Sequence, residues 1–100
     1  MITPGDIAPR QDTNHEAYVV VLSNTIHLAA GTGRLITCPF IPGQIPEAAM
    51  SMVVSVAQPE GVVLPELVQW LPTAALDDSI GNIGGQALRQ TAALITALIT

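Results

Sequence analysis

The sequence predicts an α+β fold that is mainly β: one domain over residues 1–100, with about five to seven short antiparallel strands and a C-terminal helix. Three observations predict it. Short β-branched runs alternate with Gly-, Pro- and Asn-containing turns along most of the chain. Helical spacing of apolar residues is confined to the last segment, where no breaker interrupts Gly85 to Ile99. Hydrophobic residues make up 49% of the chain and charged ones 11%, roughly half the usual charged share. That is enough apolar material for a core, and more than a monomer of this size covers with polar surface. Part of it is expected to be buried against a partner or a second copy.

Taken in order, "GDIAPR" (Gly5 to Arg10) reads as a first strand between breakers, and "QDTNHE" (Gln11 to Glu16) as a polar loop. Ala17 to Ser23 is continuously apolar up to Leu22, the pattern of a central strand buried on both faces. Ser23 or Asn24 can cap one helical turn that Gly31 and Gly33 end. "RLITCPFIPG" is the next strand, and Pro39 and Pro42, lacking N–H donors, put its far end at an edge or bulge. "QIPEAAM" is a connector. "SMVVSV" (Ser51 to Val56) is a strand turned by "QPEG", and "LVQWL" (Leu67 to Leu71) is a further strand. Leu76 to Ile83 holds a turn and a short strand. In the closing helix Leu88, Ala92, Ile95, Leu98 and Ile99 share one stripe, yet Ala87, Ala93, Leu94 and Ala97 leave little wet surface beside it. Such a helix is covered on two sides, by its own sheet and by a twofold-related subunit, with Leu94, Ile95 and Leu98 at that dimer interface.

The formal net charge is −5, from three arginines, no lysine and eight acids. A nucleic-acid binder normally carries a basic footprint, and none is present; the acidic balance suits a basic protein partner. Cys38 is the lone cysteine, flanked by apolar residues, and reads as a buried inert thiol. Asp77 and Asp78 belong to a turn, and the glycines fit no phosphate-loop spacing, so neither a metal nor a cofactor is expected. No apolar run is long enough for a membrane span and no leader pattern is visible, which points to a cytoplasmic protein.

The order of these elements, with "GD" at Gly5-Asp6, "VVVLS" at Val19 to Ser23, "LITCPF" at Leu35 to Phe40, "GVVLPELVQWL" at Gly61 to Leu71 and a final "ITALI", resembles the MazF/PemK toxins and the related CcdB toxins. Within that group the mycobacterial and other actinobacterial MazF-like toxins look most similar. The resemblance implies a small SH3-like barrel and a homodimeric toxin of a type II toxin–antitoxin pair, with a cognate antitoxin laid along the dimer groove. It also implies, for the ribonucleolytic members, metal-independent cleavage of single-stranded RNA. There an arginine before the "VVLS" strand stabilises the phosphorane, and a Ser or Thr after the "-VxP-" strand positions the phosphate. In this chain those positions fall on Ala17 and Ile41. The nearest replacements are Arg10, His15 and Glu16 on one side and Thr37 on the other. "GRLI" at Gly33 to Ile36 resembles the CcdB version of its strand, but the C-terminal Trp of CcdB-like toxins is absent.

Two mechanisms follow. In the first, a MazF-like endoribonuclease uses His15 and Glu16 as base and orienter and Arg10 as phosphate clamp. In the second, a non-enzymatic toxin arrests growth by binding a protein target, as CcdB-like toxins do; a degenerate homologue that only sequesters antitoxin is a blander version. Arg34 either contacts RNA or ends a strand or pairs with an acid, and Trp70 either fills the barrel or lines the antitoxin groove. His27 reads as a partly buried side chain with one hydrogen bond.

Overall fold

The structure is a computed structural model that describes residues 1–44 and 52–99. The expected connector "QIPEAAM", apart from its first residue, lies outside the described residues, as does the beginning of the strand expected from Ser51. Among the described residues seven strands and two α-helices follow in order: β1 (Asp6–Pro9), β2 (Tyr18–Val21), α1 (Thr25–Ala29), β3 (Arg34–Pro42), β4 (Val54–Ala57), β5 (Glu60–Val63), β6 (Gln69–Pro72), β7 (Gly81–Asn82) and α2 (Gly84–Ile99). All the pairings are antiparallel. They give a curled half-barrel in the order β4-β5-β3-β2-β1-β7, with β6 also on β3.

The continuous apolar run of β2 has the predicted consequence. Val20 joins Ile7, Cys38, Phe40 and Val63 on one face, while Val19 and Val21 join Ala8, Leu35 and Leu71 on the other. The first face is covered by α2 through Ala87, Leu88 and Ile95. The second is closed by Leu71 of β6 and by the 3-10 turn Thr73–Ala75, with Ile2 and Leu28 packed against it.

Long β3 changes neighbours part-way. Arg34 to Thr37 pair with β6, and Phe40 to Pro42 pair with β5. Pro39 stands in the gap, opposite Val19 of β2. Its carbonyl accepts the N–H of Leu64 at 3.1 Å, so its missing donor faces the side where β6 has ended and β5 has not begun. Pro39 therefore sits inside the sheet, where its chemistry suggested an edge or bulge; a gap in the neighbouring ladder does for it what an edge would. Gly61 is fixed by a close approach: a Cβ there would fall 2.6 Å from the Ile41 carbonyl oxygen and into the Phe40 ring.

Two other boundaries differ from expectation. "LVQWL" opens with a 3-10 turn, Pro65–Leu67, so the strand begins at Gln69. Along α2 the inner stripe is Ala87, Thr91 and Ile95 with Leu88, whereas Ala92, Leu98 and Ile99 are exposed in the single chain. Thr91 can face inward because its hydroxyl donates to the Ala87 carbonyl at 2.9 Å.

Candidate functional site

The sheet register brings together the two positions that the family resemblance singles out. Tyr18 pairs with Phe40, and one residue further out the same antiparallel register sets Ala17 against Ile41. Both line one cavity of about 350 Å³, with Glu16, Tyr18, Pro39, Phe40 and Pro42 completing its wall. The walls are mostly apolar. The lining side chains carry two polar groups, and these are paired: the Tyr18 hydroxyl donates to the Glu16 carboxylate. That bond, then burial and the Glu16 charge, raise the tyrosine pKa, so the phenol stays neutral at physiological pH. The pocket thus presents one fixed negative charge and no cation.

Sequence reasoning named Glu16 and missed Tyr18. The signal was available, since the apolar run was expected to be extended from Ala17. Glu16 and Tyr18 flank that residue at the two-residue spacing that puts side chains on one face, although β2 itself begins at Tyr18.

The loop from Arg10 to Glu16 reaches this pocket through Glu16, while its Gln11 lines a separate cavity with Ile2, Leu76 and Asp77. Its base is closed by the Arg10 N–H donating to the Ala17 carbonyl at 2.8 Å. The Arg10 guanidinium points to Asp12, donating from Nε and Nη2 to the two carboxylate oxygens at 2.9 Å each. This hydrogen-bonded pair raises the arginine pKa and lowers that of Asp12. His15 is exposed, and its carbonyl accepts the Thr13 hydroxyl at 2.7 Å. Arg10, His15 and Glu16 therefore share a loop without forming a cluster: arginine holds Asp12, glutamate holds Tyr18, and the imidazole has no hydrogen-bond partner among the described residues. Thr37, the nearest substitute for the family hydroxyl, is fully buried and donates to the Gln69 carbonyl at 3.1 Å. It does not reach the pocket's lining.

A second polar group lies at the other end of β3. Buried Ser23 accepts the Ile36 N–H at 2.8 Å, and its hydroxyl lies 2.7 Å from His27 Nδ1. The serine proton needs an acceptor, so it goes to Nδ1 and the ring proton sits on Nε2, facing the Thr32 hydroxyl at 3.4 Å. Asn24 caps α1 by accepting the His27 N–H at 2.9 Å. This cluster ties α1 to β3, which is the structural role expected of His27. Trp70 packs edge-on against that imidazole, with ring centroids 5.4 Å apart, and is 57% exposed. It does not fill the barrel. Arg34 is exposed at the start of β3, with no acid paired to it among the described residues. Neither residue is near Glu16 along the strands: Arg34 and the strand pair Ile36 and Trp70 occupy the half of β3 that pairs with β6. Among the described residues no group of His, Cys, Asp and Glu could hold a metal.

Comparison with known proteins places this geometry. A family described as "Type II toxin-antitoxin system toxin Rv0299" matches residues 5–98. The chain is 63% identical to Toxin Rv0299 of Mycobacterium tuberculosis over 99 residues, 99% of either chain. Among solved structures it resembles a MazE–MazF complex from Deinococcus radiodurans, with TM-score 0.79 and 16% identity over 98% of this chain and 94% of that one. It also resembles an endoribonuclease in complex with its cognate antitoxin from a mycobacterial species, with TM-score 0.70 and 15% identity over 98% and 95% of the two chains. At such identities the likeness is one of fold: the MazF-like half-barrel with a closing helix.

Proposed function

Because the chain belongs to the Rv0299 family of type II toxin–antitoxin toxins, we propose that it is a cytoplasmic growth-arrest toxin. It acts as a homodimer, is silenced by a cognate antitoxin lying over the β2–β3 pocket, and stops growth by binding a protein target there. The carrying observation is the lining of that pocket. Where the ribonucleolytic members of the resemblance use an arginine and a hydroxyl, this pocket has Ala17, Ile41 and an anionic Glu16. Phosphoryl transfer draws its rate from groups that stabilise developing negative charge, and such a wall supplies none. The antitoxin is supported by the family description and by fold neighbours that are themselves antitoxin complexes. No helix among the described residues is long and apolar enough to cross a membrane, which agrees with a cytoplasmic site of action.

A second reading, cleavage of single-stranded RNA without metal, is favoured by one observation. Arg10, His15 and Glu16 do share one loop, whose last residue lines the pocket, and the Arg10–Asp12 pair lies at the surface, so a phosphate could displace Asp12 at little cost. One experiment separates the two. Antitoxin-free protein is incubated with a long RNA in EDTA and read by primer extension, while induced cells are followed for growth. The binding reading expects no discrete cuts, and arrest that survives both Arg10→Ala and His15→Ala. Discrete cuts that weaken about a hundredfold in either variant would establish the ribonuclease instead.

A further inference from the structure

We propose that the β2–β3 pocket receives a basic side chain, arginine or lysine, carried by a protein partner of this toxin. The inference rests on reading the pocket as a binding surface and names the chemistry that it selects. Such a side chain has an aliphatic stem and a cationic head. The pocket offers the complement of each: apolar walls from Ala17, Phe40 and Ile41, and one carboxylate at Glu16. Tyr18 donates to Oε1 of that carboxylate, which holds the group in place and leaves Oε2 open to a second donor. A carboxylate already oriented loses less freedom when a cation arrives.

None of the chain's three arginines competes for the position. Arg10 is engaged with Asp12, Arg34 begins β3 at its far end, and Arg89 lies on α2. The net charge of −5 draws cations toward the surface and repels phosphate.

Recognition here belongs to the side chain and not to an added strand. Along β3 the even-numbered residues face β2, as the Leu22 N–H donating to the Ile36 carbonyl at 2.7 Å shows. The next backbone nitrogen that would face an incoming strand beyond Phe40 is that of Pro42, which has no hydrogen to give. A partner's backbone finds a blunted edge, and its specificity must come from what it inserts.

The test uses the full-length protein labelled with nitrogen-15 and titrated with N-acetyl-arginine amide. N-acetyl-citrulline amide serves as the neutral control of the same shape, and a short single-stranded oligonucleotide as the rival ligand. The expected result is chemical-shift change centred on the amides of residues 16–18 and 40–41. The arginine compound binds roughly tenfold tighter than its citrulline twin, and Glu16→Gln removes that difference while leaving the rest of the spectrum in place. Equal binding of the two amides, shifts centred elsewhere, or occupation of the pocket by the oligonucleotide would each overturn the proposal. Growth arrest is scored separately on induced cells, so failure of the toxin reading and failure of this one look different.

Discussion

Asp6 is 7% exposed, yet it remains ionised. Burial is the largest single influence and pushes its pKa up. The Thr3 N–H at 2.7 Å and the Asn82 amide at 3.0 Å, with Ser79, together outweigh it and leave the pKa below the ordinary aspartate value. The same asparagine accepts the Gly84 N–H at 2.8 Å, so the carboxylate anchors the chain where it enters α2. A carboxylate whose folded pKa is depressed stabilises the fold fully above its unfolded value of 3.8 and loses that contribution as pH falls through the lower folded value. Asp6→Asn should therefore lower stability at neutral pH by about 1–3 kcal/mol. Urea melts of the two proteins should converge below the ordinary aspartate range; a gap that persists there would mean that the effect is not one of charge. The sequence showed "GD" as the opening of a strand and no more, because the partner amide lies 76 residues away. Cys38, by contrast, was legible from its neighbours. It is fully buried, and the loss of solvent pushes its thiol up to about 12.

Among the elements, α1 and β2 were readable because their signals are local: an asparagine cap, and β-branched residues without a break. The phase of α2 was not. Thr91 is polar by composition but returns its hydroxyl to its own helix, so a count of apolar residues passes over it and selects Ala92 instead. The inner and outer faces make separate predictions. Ile95 packs against the core beneath the sheet, and Ile95→Ala should destabilise the folded chain by about 1–2 kcal/mol in a thermal melt, less than for a fully buried site. Leu98 is 48% exposed in the single chain, so Leu98→Glu should leave a dilute monomer's melt nearly unchanged. Light scattering at micromolar concentration should then show the proposed dimer weakened relative to the native sequence. An intact dimer in this variant would move the interface away from α2.

At the scale of the whole molecule, the half-barrel and its closing helix were anticipated, but the course of β3 was not. A one-dimensional pattern shows that a strand is buried without showing how many neighbours share it, and Pro39 suggested an edge or bulge for that reason. Net charge acts at this scale as well. With eight acids against three arginines, the protein should pass through a heparin column at physiological salt, since retention there follows the number of phosphate-like contacts that a surface can neutralise. Retention would expose a basic face that the composition hides.

The two-sided burial of β2 and β3 has a consequence for how the molecule comes apart. Alternate side chains of the same two strands hold the two hydrophobic clusters, one above and one below. Neither layer can melt while the other survives, because each would have to release the backbone on which its twin is mounted. Opening is thus all-or-none at the centre, with partial excursions left to the rim. A protease in the cell would find no half-unfolded toxin to cut at its middle.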